Sequence, residues 1–412
     1  MKELKDVSIC VIGLGYVGLP LAALFSQKYK TIGYDINETR VSELKNGLDS
    51  TQEVSTDELK KAESLAFTSN KDEIRGYDVY VVTVPTPIDI NRQPDLSPLI
   101  SASKLLGEVI NKDAVVIYES TVYPGATEED CIPVIEKVSG LTFNKDFYAG
   151  YSPERINPGD KSRPVHKIVK VTSGSTPEVA KFVDGLYGSV IEAGTHLAST
   201  IRVAEASKVI ENTQRDVNIA LVNELSVIFD NLNIDTAEVI EAAATKWNFV
   251  KLFPGLVGGH CIGVDPYYLL HKSMSTGYVP DIIRTSREIN DGMAQHFATS
   301  FVKKLIDSDV KVKNSKIIVL GFTFKENCPD VRNTKVADLV KELSTYNMQI
   351  DVFDPWVSES DKAKISGVNF VNELEKEKYD GVFVAVNHKE FSNLELTDFT
   401  SDNAPVFRIR KS

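Results

Sequence analysis

The chain is poor in cysteine. Its 412 residues hold four, Cys10, Cys131, Cys261 and Cys328, and no two stand as a CxxC pair. That spacing excludes a disulfide framework. Histidines number only six, with no HExxH and no cluster, so no metal site is expected. No run approaches the roughly 20 apolar residues that cross a bilayer. The opening MKELKDVSICVIGLG mixes charges and is cut by glycines, so no secretory signal is expected there. Positive charge is in deficit, with 46 Lys and Arg against 58 Asp and Glu and a formal charge of −12. Such a chain is a poor general binder of DNA or RNA. Short-period repeats and low-complexity segments are missing, and 42% apolar with 25% charged residues excludes disorder. The expectation is a cytoplasmic, reducing-compartment protein with no membrane or nucleic-acid partner.

At this length one core does not suffice, and the pattern divides into three. In residues 1–195, apolar runs at Val7–Ile12, Thr31–Tyr34, Val79–Val84, Ala114–Tyr118 and Ile168–Thr172 read as strands. Leu19–Tyr29, Asn37–Asn46, Leu96–Val109 and Ala126–Val138 between them read as helices. Alternation of this kind predicts a parallel, doubly wound sheet. Residues 196–300 show no convincing strand, and 199–231 contain neither proline nor glycine. There Val209, Ile210, Val217, Leu221, Leu225 and Ile228 fall on more than one helical face, which predicts a helix buried on more than one side. In residues 301–412, SKIIVLGFTF, QIDVFDP, GVFVAVNH and APVFRIR predict a second α/β unit without GxGxxG.

Chemistry concentrates in a few segments. Gly13-Leu14-Gly15-Tyr16-Val17-Gly18 follows a strand and opens a helix. Glycines there allow a tight turn, close approach of backbone to pyrophosphate, and close helix–strand packing. Asp35, 17 positions beyond Gly18, ends the second predicted strand, where a carboxylate accepts ribose hydroxyls and repels a 2′-phosphate. NAD is therefore the expected cofactor. Arg40 follows one turn later, to lie against adenine or phosphate or to be a solvated helix arginine. Cys261 sits among Gly255, Gly258, Gly259 and Gly263 in PGLVGGHCIGVDP. A thiol there becomes a nucleophile if His260 or loop amides favour its thiolate, with Asp265 ordering a proton or water. Lys208 and Asn212 stand at i and i+4 on the long helix, suited to an alkoxide or to alcohol deprotonation, with Arg215 near that face. Thr86, Thr121 and Glu154 stand in turns after predicted strands, where open α/β sheets bind ligands.

These motifs together resemble the nucleotide-sugar 6-dehydrogenases, the UDP-glucose and UDP-N-acetylhexosamine dehydrogenases. The resemblance runs through GLGYVG, Val-Pro-Thr-Pro, Ser-Thr-Val, Ser-Pro-Glu-Arg, the Lys208/Asn212 helix, Gly-Gly-His-Cys-Ile-Gly-Val-Asp-Pro, and Gly321-Phe-Thr-Phe-Lys-Glu with Arg332. It implies two Rossmann-like domains joined by a long central helix and a helical dimerisation domain, with UDP held by the third part. It also implies an NAD-dependent oxidation of a C6 alcohol to a carboxylate in two steps. Cys261 is then the nucleophile and Lys208 the proton acceptor or donor. Asn212 and Asp265 support the oxyanion and the water, and Glu154 and Thr121 assist hydrolysis. Tyr16, Val17, Asp35, Arg40, Thr86, Thr121 and Arg332 contact NAD, and Arg155, Ile156, Arg215, Gly258, Phe324 and Lys325 the UDP-sugar. HCIGVDPYY and SPERINPG resemble the N-acetylhexosamine branch, which points to UDP-GlcNAc before UDP-ManNAc, UDP-GalNAc or UDP-glucose, and to surface polysaccharide synthesis in a homodimer or higher oligomer. Some relatives carry a neighbouring-subunit arginine where Thr245 stands here, with Lys246 the nearest cation. A single-step β-hydroxyacid dehydrogenase and a non-catalytic NAD or UDP-sugar sensor are the rival readings.

Overall fold

The structure, a computed structural model, describes residues 2–62, 64–89, 91–156, 163–401 and 404–409. Asn157-Pro158-Gly159 of the SPERINPG segment and Arg410 of APVFRIR lie outside them. The chain forms two compact units, residues 1–211 with 267–276, and residues 212–266 with 277–412. Among the described residues no helix is long and apolar enough to cross a membrane.

The first unit is built on a parallel sheet. Its strands are β1 (Ser8–Ile12), β2 (Lys30–Tyr34), β3 (Leu65–Thr68), β4 (Val79–Val82), β5 (Val115–Tyr118) and β6 (Tyr148–Tyr151), in the order β3-β2-β1-β4-β5-β6. Residues of β1, β4 and β5 are buried in succession rather than alternately, because helices cover both faces. Ile9, Val11, Val79, Val81, Val115 and Ile117 pack with Leu19, Leu21, Phe25 and Tyr187 from the covering helices. The strand expected at Ile168–Thr172 is shorter and belongs elsewhere. It is β7 (Lys170–Thr172), paired only with β8 (Thr195–Leu197) in a separate two-stranded sheet. The sixth place in the main sheet is taken by β6, the strand before the Glu154 turn. A Cβ at Gly150 would stand 2.9 Å from the Ser173 carbonyl oxygen, so the strand needs its glycine to let the next segment pass.

The second unit repeats the plan in short form. Strands β9 (Lys316–Leu320), β10 (Gln349–Phe353), β11 (Asn369–Phe370), β12 (Gly381–Val384) and β13 (Val406–Arg408) make a parallel sheet ordered β11-β10-β9-β12-β13. Met293, Phe297 and Phe301 of helix Asp281–Asp307 pack with Ile317, Val319 and Phe383. One helix of 32 residues, Ile201–Leu232, lies midway along the chain, uninterrupted because it contains neither Pro nor Gly to break it. Its apolar residues separate by face. Val209, Ala220 and Val222 are buried, whereas Ile210, Leu221, Ile228 and Leu232 are exposed.

Candidate active site

The strand β1 ends at Ile12 and the helix Gly18–Ser26 begins six residues later, so Gly13–Val17 forms the turn between them. A Cβ at Gly15 would meet nothing within 4 Å, whereas one at Gly18 would fall 1.9 Å from the Gly13 carbonyl oxygen. The turn is thus open toward a ligand and closed toward the sheet, the combination a pyrophosphate cradle requires. Asp35, at the end of β2, points back to this turn. Its Oδ2 accepts the Leu14 N–H at 2.8 Å and its Oδ1 the Asn37 N–H at 2.9 Å, which fixes the carboxylate beside the cradle. The residues present fit a dinucleotide with an unphosphorylated ribose. Arg40 is neither solvated nor loose. It is buried, its Nε donates to the Leu14 carbonyl at 2.9 Å, and its Nη2 bonds Asp49 at 2.6 Å. It ties the cradle to the loop that follows its helix.

A second group gathers where β4, β5 and β6 end. Thr86, Thr121 and Glu154 follow those strands in the chain. Ser120 Oγ donates to the Val84 carbonyl at 2.6 Å, and Tyr151 Oη donates to the Ser120 carbonyl at 3.1 Å, so the three turns are stitched together. Behind them lies a charged group that sequence reasoning missed. Lys170 Nζ reaches Glu119 Oε2 at 2.6 Å and Glu154 Oε2 at 3.1 Å, and Tyr187 Oη donates to Glu119 Oε1. Burial first, and the Glu154 charge with it, push Glu119 up to about 7 despite Lys170. The only sequence signal was a lysine in an otherwise apolar strand. Glu205 was missed too. Buried on the long helix, it accepts the N–H groups of Gly125 and Thr127 and so holds the segment after Thr121. Burial also pushes Glu205 up to about 7. Arg155 pairs with Glu211 at 2.7 Å, Ile156 is half-buried, and Lys208 is buried on the long helix.

The second unit carries the cysteine loop. All four cysteines are thiols; Cys10, Cys131 and Cys328 are buried, and Cys261 is half-exposed. The Cys261 carbonyl accepts the N–H of Asp265 at 2.8 Å, and Asp265 opens the helix Asp265–Ser275. Asn212 Nδ2 donates to Asp265 Oδ2 at 2.5 Å, bringing together two of the residues singled out in the sequence. His260 is no source of positive charge for the thiol. Burial, aided by Arg332, holds its imidazole below the ordinary value, so it is neutral at pH 7 and its Nε2 hydrogen-bonds Asp330 at 2.9 Å. Asp330 also takes Arg332 at 2.7 Å. Gly259, at φ +81°, leaves room for the Phe324 ring, which a Cβ would approach to 2.9 Å. The Phe322 and Thr323 N–H groups bond Asp354, itself 3.0 Å from buried His388, and this anchors the segment carrying Phe324 and Lys325. Phe324, Lys325, Leu252, Phe253 and Thr334 line a cleft of about 700 Å³, within the usual range for small-ligand sites. Arg215 is exposed, and Gly258 packs under Phe324.

Three family models match this chain in order. Residues 7–191 match the NAD binding domain of the UDP-glucose/GDP-mannose dehydrogenase family, 202–292 its central domain and 318–411 its UDP binding domain. A protein named UDP-N-acetyl-D-glucosamine 6-dehydrogenase from Pseudomonas aeruginosa is 58% identical over 391 residues, covering 95% of this chain and 93% of that one. One of the same name from Salmonella typhi is 52% identical over 413 residues, covering 100% and 97%. Among solved structures, the UDP-D-ManNAc dehydrogenase of Pyrococcus horikoshii superposes with a TM-score of 0.87 at 30% identity, covering 98% of this chain and 96% of that one.

Proposed function

The chain belongs to the UDP-glucose/GDP-mannose dehydrogenase family, and from that premise we propose that it oxidises the C6 hydroxyl of UDP-N-acetyl-D-glucosamine to a carboxylate in two NAD-dependent steps. The observation that carries the chemistry is the Asn212–Asp265 pair next to the Cys261 turn. GlcNAc is favoured over its epimer ManNAc because identity is 58% and 52% to relatives named for UDP-GlcNAc and 30% to the one solved with the ManNAc name.

NAD, held at the Gly13–Gly18 cradle with its ribose on Asp35, would accept the hydride of the first oxidation, and a second NAD, taken up there after the first leaves as NADH, would accept that of the second. Lys208 takes the hydroxyl proton as the first hydride leaves C6, giving the aldehyde. The Cys261 sulfur adds to that aldehyde, forming a C–S bond and a thiohemiacetal whose oxygen is stabilised by Asn212 and Lys208. Loss of the second hydride from C6, with the hydroxyl proton passing to Lys208, gives a thioester. Water, oriented by Glu154, Thr121 and Asp265, then forms the new C–O bond as the C–S bond breaks and the thiol regains its proton. In this reading Phe324, Lys325 and the cleft around them hold the UDP, and Arg155, Ile156, Gly258 and Arg215 are assigned to the sugar. Tyr16, Val17, Arg40, Thr86 and Arg332 complete the NAD contacts.

The three matched segments support assigning residues 1–195 to NAD binding, 196–300 to the central helical part and 301–412 to UDP binding. The exposed Leu221, Ile228 and Leu232, spaced seven and four apart, form an apolar seam that favours a homodimer. The test of the reaction is a panel of UDP-sugars with NADH counted per sugar consumed. UDP-GlcNAc is expected to react best and to yield two NADH. One NADH with aldehyde released overturns the four-electron reaction, and a preference for UDP-ManNAc or UDP-glucose overturns the substrate.

A further inference from the structure

Lys170 lies in β7 with 2% of its surface exposed. An ammonium buried so deeply is strongly unfavourable unless its partners compensate. Here burial works against the charge, but Glu119 and Glu154 together hold Lys170 above its ordinary value. Two carboxylates therefore share one ammonium. Their outer oxygens are also committed. Glu119 Oε1 takes the Tyr187 hydroxyl, and Glu154 Oε1 accepts the N–H groups of Arg155 and Ile156 from its own turn. Glu154 is thus gripped at one oxygen by its backbone turn and at the other by Lys170. An apolar residue in β7 would pack as well without charge, so fold stability alone gives little reason for a lysine there. Buried charges with perturbed titration concentrate at functional sites.

The groups facing Glu154 come from several elements. Lys170 reaches it from β7, Glu119 stands at the end of β5, and the Tyr187 hydroxyl lies behind Glu119 on helix Pro177–Gly188. From its own turn Arg155 contributes only its N–H, because its guanidinium is turned to Glu211.

We propose that Lys170 is a positioning residue for Glu154 in hydrolysis of the Cys261 acyl intermediate, and that Glu119 competes with Glu154 for the same ammonium. The inference rests on the reading of Glu154 as a residue that orients the attacking water. Lys170 touches neither substrate nor water in this scheme. It fixes the carboxylate that does, and Glu119 sets how much of the ammonium's charge Glu154 receives.

The test uses E154Q, E119Q and the double variant K170M/E119Q, which replaces the buried charges by neutral side chains of similar size. Each is followed with UDP-GlcNAc and NAD by rapid mixing, by steady-state kinetics across pH, and by thermal unfolding. If hydrolysis is impaired, both oxidations still occur once, so a burst of two NADH per subunit precedes a slow steady state. That burst is expected for E154Q and K170M/E119Q, with kcat lowered about ten-fold or more and KM for UDP-GlcNAc little changed. In E119Q Lys170 serves Glu154 alone at every pH, so the change in kcat that ionisation of Glu119 imposes near pH 7 in the wild type is expected to be absent, the two profiles meeting in acid and parting above 7. A burst in E154Q with wild-type turnover in K170M/E119Q overturns the role of Lys170, and a kcat profile of E119Q identical to wild type on both sides of pH 7 overturns the competition of Glu119 for its ammonium. If K170M/E119Q does not fold, the E119Q pH profile decides. Wild-type turnover by E154Q instead removes the reading of Glu154 itself, and the proposal with it.

Discussion

The Asn212 amide donates to Oδ2 of Asp265 at 2.5 Å, so the long helix is fastened to the first residue after the Cys261 turn. Asp265 is buried, and its carboxylate both holds that amide and offers a charge near the thiol's own peptide. Asp265→Asn keeps the size and one acceptor but removes the charge. It is expected to lower kcat about 100-fold while leaving the unfolding midpoint within a few degrees of wild type. Steady-state rates and a thermal melt on one preparation check this. Loss of stability with normal turnover per folded molecule would make the pair a structural clip.

Cofactor choice rests on a second short-range contact. Asp35 accepts the Leu14 N–H at 2.8 Å, which holds its carboxylate beside the cradle. Asp35→Ala is expected to raise KM for NAD about ten-fold or more and to narrow the preference over NADP. The measurement is kcat/KM with each cofactor. An unchanged ratio would show that the ribose is read by another residue.

Assembly is tested on the exposed seam. Leu221 and Ile228 are 55% and 44% exposed in the single chain, so replacing them leaves the core intact. Leu221→Glu with Ile228→Glu is expected to reduce the sedimentation mass to that of one chain with its helical signal preserved. An unchanged mass would place any self-association on another surface.

Much of this was legible in the residues, and the failures are instructive. GLGYVG and Asp35 were readable because glycine and a strand-end acid have few other uses in that arrangement. The place of Lys208 and Asn212 on one helix was readable from their four-residue spacing in a stretch free of breakers. Lys170 was not, because periodicity counts it as an interruption of an apolar strand and cannot show that Glu119 and Glu154 converge on it from separate strand ends. Tyr148–Tyr151 was legible only as an unbounded strand before the Glu154 turn, because its glycine interrupts the apolar run to let the Ser173 backbone pass. Arg40 was legible as a contact for adenine or phosphate or as a solvated arginine, but not its partners, because a helix and a strand separate it from the Leu14 carbonyl and a loop from Asp49. Each miss is a long-range contact that local patterns do not encode.

Stability should depend on pH through Glu205. Burial raises it from 4.5 to about 7 in the folded protein. The folded state therefore holds a proton that the unfolded chain has already released. The stability this proton confers is complete below 4.5 and is lost as pH rises through about 7. Glu205→Gln cannot lose a proton, so its unfolding free energy is expected to fall less than that of wild type between pH 5 and 8. The difference should be roughly 3 kcal/mol at most. Glu119 titrates in the same window, but it is present in both proteins and cancels in the comparison. Parallel pH curves for the two proteins would show that Glu205 keeps the same ionisation folded and unfolded.

The covalent step is tested at Cys261. If its sulfur forms the thiohemiacetal and then the thioester, Cys261→Ser should stop acid formation. A hydroxyl without a dedicated base is a far weaker nucleophile, and neutral His260, bonded to Asp330, is not arranged to supply that base. An ester formed by the serine would also hydrolyse more slowly than a thioester. The first oxidation, by contrast, calls on Lys208 and the dinucleotide site, neither of which the substitution touches. The variant is therefore expected to bind NAD and UDP-GlcNAc, to release aldehyde or trap a slow ester, and to lose on the order of 10³-fold in turnover to acid. Cys261 is half-exposed in its glycine-lined turn, so exchanging sulfur for oxygen leaves no large cavity and little change in melting temperature is expected. Product analysis by mass, together with a thermal melt, separates the two possibilities. A stable variant that still makes the acid at a near-normal rate would rule out the thioester, whereas a stable variant arrested at aldehyde or ester places the nucleophile at this sulfur.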